Sequence, residues 1–412
     1  MPALRWIDVA LLVPAIPVVA CTGYLFSLTA LSKRQTPPPY PDPQIAFDIV
    51  VPSHNEQANI AATVRSLLAI DYPKDRYRVL VVADNCSDAT AERARAAGAT
   101  VLERNDKTKR GKGYALEFAF NQIIADGVAD AVVVVDADTD VTPNLLRAFA
   151  ARFATGANAV QAAYGVRNPE ASWRTRLMHI ALSAFHDVRS LGRERLGLSC
   201  GLRGNGMGFR TSVLEQVPHN AFSIVEDLEY GIRLGRAGIR VEYVDEARVL
   251  GEMVATEKES RSQRTRWEGG RLKIAKLHGL PLLREAIEKR DPVLLDLAAD
   301  VLVPPLSYVA VASVAGCAAA GFAVVFLRAN PKVLIPWGAS AMMLAAYVSR
   351  GVVVSGAGVR GFVDLATAPA YVGWKMALAL KTRAERSKDA KNGKGASSDE
   401  WVRTARANEE LS

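Results

Sequence analysis

Apolar residues fall along this chain in two kinds of run. Long uncharged blocks occupy Val9–Leu31 (23 residues), Val301–Leu327 (27 residues) and Val333–Ser349 (17 residues). A helix needs about 20 apolar residues to cross a bilayer, with about 17–25 the usual range. The three blocks therefore predict membrane spans, the last continuing to Val354 with Arg350 snorkelling. Between them lie short β-branched runs that end in polar or acidic residues. Phe47–Pro52 runs into Ser53–Glu56, Arg78–Ala83 into Asp84–Asp88, and Val132–Val135 into Asp136-Ala-Asp138, while Ala99–Leu102 forms a further short strand. Helical spacing separates them: Ile60, Val64, Leu67 and Leu68 within Gln57–Ile70, a helix ending at Gly98, and one opened by Gly111-Lys112-Gly113 and reaching about Asp126. This alternation predicts an α/β domain with a parallel sheet wound by helices. Three acidic or polar strand ends then share the carboxyl edge of the sheet, where open α/β sheets bind ligands.

The second half carries further candidates. Trp173, Leu177, Ile180, Ala181, Ala184, Val188 and Leu191 make an apolar helical stripe flanked by Arg174, Arg176, Arg189 and Arg193. Such a helix packs on the domain or lies in the membrane interface. The glycine spacing of Gly201–Gly208 permits close backbone approach to a ligand. Ser223-Ile-Val-Glu226 fits a capping box, which leaves Asp227 just beyond it, at the opening of a helix and free to accept a proton. Gln263, Arg266 and Trp267 share one helical face. Arginine clamps diphosphate oxygens through two donors and indole offers a flat wall to a sugar ring. A basic, membrane-facing helix with one aromatic anchor would read the same way.

Composition narrows the class. Half of the 412 residues are apolar and the net charge is +8. The basic residues cluster beside the apolar blocks, at Lys33 and Arg34 and at six positions in 381–394, the positive-inside pattern. Anionic headgroups are the expected partner, and no aromatic-basic nucleic-acid module is present. Cys21, Cys86, Cys200 and Cys317 have no metal spacing and imply no disulfide framework, which suits a reducing cytosolic face. His179 and His186 are expected to be ordinary surface or interface residues. Val9–Leu31 is too long for a secretory signal, with only Arg5 before it, and is read as a retained anchor. Five prolines in Lys33–Pro43 predict a stiff linker.

Taken in order, Val-Pro-x-x-Asn-Glu, Asp84-x-x-x-Asp88, Asp136-x-Asp138, Glu226-Asp227 and Gln263-Arg264-x-Arg266-Trp267 resemble a membrane-embedded family-2 glycosyltransferase. That group includes cellulose, chitin and hyaluronan synthases and lipid glycosyltransferases. The resemblance covers roughly residues 45–280. It implies a GT-A fold, a nucleoside-diphosphate-sugar donor (a UDP-sugar is expected) and inversion at the anomeric carbon. Asp84 would hold the nucleobase or ribose and Asp136 the donor. Asp138 would bind Mg²⁺ or Mn²⁺, and Asp227 would be the general base. Glu226, Gln263, Arg264, Arg266 and Trp267 would frame the diphosphate and the acceptor, with Lys112 a further diphosphate contact. One departure is visible, Ala83-Asp84 where the group carries paired aspartates.

The expected organisation is a span and linker (1–43), a catalytic GT-A domain (44–280), a membrane region with two spans and an interfacial helix over 362–380 (281–381), and a basic tail expected to be disordered (382–412). With the catalytic domain in the cytosol, the protein would be a multi-pass protein of the inner (plasma) membrane. Polysaccharide synthesis on a glycan acceptor is the leading expectation, and transfer of one sugar to a membrane lipid the alternative.

Overall fold

The structure, a computed structural model, describes residues 5–253, 257–368 and 373; the side chains of 257–266 lie outside that description. Its centre is one sheet of β1 (Phe47–Ser53), β2 (Tyr77–Asp84), β3 (Thr100–Arg104), β4 (Ala131–Val134), β5 (Thr139–Val141), β6 (Ala159–Val166), β7 (Met207–Arg210) and β8 (Val241–Gly251). They lie in the order β3-β2-β1-β4-β7-β6-β8-β5. β1 pairs in parallel with β2 and β4, as the alternating strands and helices predict. The sheet is mixed rather than wholly parallel, because β7 enters antiparallel to both β4 and β6. Met207 opens β7 opposite Val134, the last residue of β4, so the chain runs back along β4. The glycine segment before β7 is thereby fixed at the carboxyl end of β4.

Side chains alternate across a strand, and here both faces are covered. Ile49, Val51, Val79, Val81 and Val133 pack into one core with helices Ile60–Leu68 and Leu145–Ala154. Val50, Leu80, Val82, Val132 and Val134 face the other way, against Lys112–Asp126 and Glu226–Arg236. A fully buried valine contributes about 1.5–3 kcal/mol relative to exposure, so these strands have no solvent-facing register.

Among the described residues, three helices are long and apolar enough to cross a membrane: Trp6–Leu31, Leu306–Phe326 and the stretch Pro331–Ser355. The 27-residue block is therefore not one helix. Val301 and Leu302 end the helix Pro292–Leu302, Val303 is extended, and the next helix starts at Leu306. Pro304 and Pro305 lack amide donors and disfavour helical backbone before them, which forces the break. Hydroxyls join the three helices: Thr22 Oγ1 donates to Ser340 Oγ at 3.2 Å, and Ser313 and Ser340 lie 2.8 Å apart. Arg350 donates to the Ser32 carbonyl at 2.6 Å and so caps the end of the first helix.

The arginine-flanked helix docks on the domain. Trp173–Leu182 continues through a wider π-helical turn, Ser183–Val188, into Arg189–Arg195. His186 in that turn is buried against Tyr164 of the sheet, at an interface rather than at the surface, the two places expected for it. Beyond it the short helix Gly358–Leu365 is held by an Arg176–Asp364 pair at 3.0 Å. Most of the segment expected to lie in the interface, and all of the basic tail, fall outside the described residues.

Candidate active site

One cavity of about 670 Å³ opens at the carboxyl edge of β1 and β4. Asp136 and Asp138 line it from the β4–β5 turn, Lys112 from the start of its helix, and Glu226 and Asp227 from the start of theirs. Lys112 Nζ lies 2.5 Å from Asp136 Oδ1 and 3.6 Å from Glu226 Oε1, and donates to the Gly204 carbonyl at 2.6 Å. The lysine thus joins groups that lie up to 90 residues apart in the sequence. Gly204 has a φ of +77°, and a Cβ there would stand 3.4 Å from Asp227 Oδ2 and 3.6 Å from Lys112 Nζ. Glycine at this position keeps the loop against the acidic cluster without filling it.

The Asp136–Asp138 turn is held from beneath. Asn205, fully buried, accepts from the Asp136 amide at 3.1 Å and donates to Thr139 Oγ1 at 2.8 Å. Gln161, also fully buried, donates to the Asn205 carbonyl at 2.7 Å and accepts from the Arg203 amide at 2.9 Å. Neither residue stands out in the sequence beyond an asparagine between two glycines. Tyr164 also lines the cavity. Burial, with Asp136 and Asp138 acting in the same direction, raises its hydroxyl above the ordinary value.

The charges are strongly perturbed. Burial pushes Glu226 up to about 7, with Lys112 opposing the rise and Asp227 adding to it. Asp136 and Asp227 are raised for the same first reason; Lys112 opposes both, and Arg203 also restrains Asp227. For Lys112, burial acts to lower the ammonium, but Asp136 and Glu226 outweigh it and the net shift is upward. Perturbed groups gathered in one cleft are the usual mark of a functional site.

The capping box does not form. Val225 occupies the cap position, and the Ser223 amide donates instead to Glu229 Oε2 at 3.2 Å. Ile224 and Val225 are drawn against the helix Glu257–Lys289, where a Cβ on Gly270 would stand 2.6 Å from Ile224. Glu226 is thereby released from capping and turns to Lys112. Trp267 lines the same cavity and is 37 % exposed. Gln263, Arg264 and Arg266 belong to that helix, but their side chains lie outside the described residues.

Asp84 sits apart from the cavity lining, at the end of β2. Its Oδ1 accepts from Arg104 at 2.6 Å and from Asn85 at 3.0 Å. Its Oδ2 is buried and has no partner among the described residues. His54, which does line the cavity, bonds through Nδ1 to the Asp84 carbonyl at 2.7 Å. Among the described residues no group of three or more His, Cys, Asp or Glu side chains forms a metal cage. Two adjacent aspartates still fit a divalent ion that takes its other oxygens from a diphosphate and water.

The cavity does not end at the acids. Its far end is lined by Leu177, Ile180, Ala181, Leu306, Ala310 and Leu344, from the docked helix and the last two apolar helices.

A model of the family described as glycosyltransferase like family 2 matches residues 43–270, more than half of the chain. A beta-monoglucosyldiacylglycerol synthase of Synechocystis sp. is 32% identical over 273 residues, covering 61% of this chain and 55% of that protein. The probable glycosyltransferase YdaM of Bacillus subtilis is 27% identical over 233 residues, 54% of each. The chain thus spans about half the length of these relatives. Among solved structures, the mannosyltransferase PcManGT from Pyrobaculum calidifontis, in complex with GDP-Man and Mn2+, superposes with a TM-score of 0.54 at 18% identity, covering 84% of this chain and 97% of that one. That likeness concerns the fold, which is that of the GT-A glycosyltransferases.

Proposed function

The chain belongs to glycosyltransferase family 2, and on that premise we propose that it moves one sugar from a nucleoside-diphosphate-sugar to a hydroxyl of a membrane lipid, with inversion. The observation that carries the acceptor is the cavity itself. Its acidic end and its apolar end, walled by helices long enough to cross a membrane, are one space. A lipid would lay its chains along the apolar wall and present its hydroxyl to Asp227.

The donor's diphosphate would lie between Lys112 and the Asp136–Asp138 turn. Asp84 would take a nucleobase donor group on its unpaired Oδ2. Asp138, with Asp136 beside it, would hold Mg²⁺ or Mn²⁺, which supplies charge to offset the leaving diphosphate. The acceptor oxygen attacks the anomeric carbon as the carbon–oxygen bond to the diphosphate breaks, and Asp227 accepts the hydroxyl proton. Burial raises Asp227, which makes it a stronger base than an exposed aspartate. One base and one separate set of charge-stabilising groups suffice for a single displacement. The catalytic domain would face the cytosolic donor pool, with the three helices as spans.

The test uses the full chain in lipid vesicles, a panel of radiolabelled nucleotide sugars, and Mg²⁺ or Mn²⁺. A single-sugar lipid is the expected product. A long polymer would return the chain to polysaccharide synthesis, and binding of every donor without diphosphate release would reject transfer.

A further inference from the structure

The cavity is also lined by a group of arginines that the transfer reaction does not use. Arg189, Arg203 and Arg271 all line it. Their guanidinium carbons lie 4.6, 4.6 and 5.1 Å from the centre of the Phe185 ring, so three cations gather around one aromatic ring. Arg193 stands behind them, fully buried. Two buried carboxylates among the described residues pair with three of these arginines. Asp300 pairs with Arg189 at 2.9 Å, Arg193 at 2.8 Å and Arg271 at 3.3 Å, and Asp296 pairs with Arg193 at 2.9 Å.

Arg203 is left over. It is 8 % exposed, its Nη2 donates to the Cys200 carbonyl at 2.9 Å, and its Nε has no partner among the described residues. Asp300 and Asp227 act on it only from beyond ion-pair distance, and a buried cation with no anion in contact is costly, by several kcal/mol on general grounds. Its neighbours register the same excess: burial lowers His186 well below its ordinary value, and Arg203 and Arg189 lower it further. The position is also specific. Arg203 adjoins Gly204, which faces Asp227, while Arg189 donates to the Tyr347 hydroxyl at 2.9 Å, on the apolar helix Leu334–Ser355.

We propose that these arginines form an anion site for a phosphate or phosphodiester group, held by Arg203 with Arg189 and Arg271 between the reacting hydroxyl and the apolar wall. The proposal rests on the lipid-acceptor reading and narrows it, because it makes the preferred acceptor a phosphate-bearing lipid rather than a neutral one. Planar guanidinium groups match phosphate oxygens in pairs, and bonds to a charged partner are the stronger kind.

The test is binding to the full chain in detergent micelles, without donor or metal, followed by thermal shift and calorimetry. The probes are dihexanoyl phosphatidic acid, dihexanoylglycerol and inorganic phosphate. Tighter binding of the phosphatidic acid than of dihexanoylglycerol, by at least tenfold, supports the site. Binding of inorganic phosphate at the same affinity also supports it, and assigns the anion to a free phosphate instead of a headgroup. Arg203→Gln should cost at least tenfold in phosphatidic acid affinity, Arg203→Lys should keep part of it, and Arg95→Gln, at a surface pair with Glu103, should change nothing. Equal binding of the neutral and anionic lipids by the unmodified chain overturns the proposal, whatever the variants do. So does competition by a nucleoside diphosphate that depends on Arg203, because the arginines would then serve the donor. Transfer to diacylglycerol without phosphate preference would leave the lipid-acceptor reading standing and remove only the anion site.

Discussion

Asp227 and Glu226 are neighbours with different work, and substitution separates them. Asp227→Asn removes the proposed proton acceptor but keeps its shape; transfer should fall by at least about 10²–10⁴-fold, the range of general-base contributions, with donor affinity unchanged by calorimetry. Near-normal turnover would take the proton from another group. Glu226 tests the electrostatics through stability. Burial raises it to about 7 in the folded chain, against about 4.3 for an exposed glutamate. A carboxylate raised on folding costs nothing below the unfolded value, and its cost grows as pH rises from there through about 7. Glu226→Gln escapes that cost, so its melting temperature relative to the natural chain should be higher at pH 8 than at pH 5. An equal difference at both pH values would show that the environment of Glu226 does not raise it. Asn205→Ala leaves the buried Asp136 amide without its acceptor and the Thr139 hydroxyl with only its bond to Asp138, a loss of about 1–3 kcal/mol, and should weaken metal-dependent donor binding about 5–150-fold. The carboxylates behind these predictions were legible in the sequence as acidic strand ends and as Glu226-Asp227. Asn205, Gln161 and Tyr164 were not, because their roles follow from β7 turning back beside β4, a pairing that no local pattern encodes.

At the scale of elements, runs with one clear preference were read correctly. The valine strand and the helix from Lys112 to Asp126 follow directly from side-chain periodicity. Where two local signals competed, tertiary contact decided. Ser223-x-x-Glu226 has the composition of a capping box, yet the approach of Ile224 and Val225 to Gly270 moves the cap to Val225. The uncharged run 301–327 reads as one span by hydropathy, yet two prolines divide it, and the piece on the near side carries Asp296 and Asp300 back to the catalytic domain. Gly270 is where this scale is tested. Gly270→Val would drive a side chain into Ile224 and Val225 and lift the helix that carries Trp267. Donor turnover should fall while the far-UV circular dichroism stays unchanged; normal kinetics would mean that this close approach does not position the site.

The whole molecule is held together by a charged seam where a hydrophobic one would be the simpler solution. Asp300 receives arginines from two helices of the catalytic domain, Arg193 also donates to the Tyr24 hydroxyl on the first apolar helix at 2.6 Å, and Tyr24 donates to Asp296 at 2.8 Å. Burial alone would raise Asp300, but Arg193, Arg271 and Arg189 hold it well below the usual carboxylate range. Removing one partner of a buried pair costs about 3–5 kcal/mol. Asp300→Asn should therefore lower the thermal stability of the detergent-solubilised chain by that order; an unchanged melting curve would make the seam incidental. The cavity wall made by the last two apolar helices has a kinetic consequence of its own. The proposed lipid acceptor would enter sideways from the leaflet without passing through bulk water, so its supply would be set by lateral diffusion and by its mole fraction among the surrounding lipids. Diluting the acceptor with inert lipid at constant total amount should then slow the reaction, whereas diluting the whole suspension with buffer at saturating donor should not change the turnover of each enzyme.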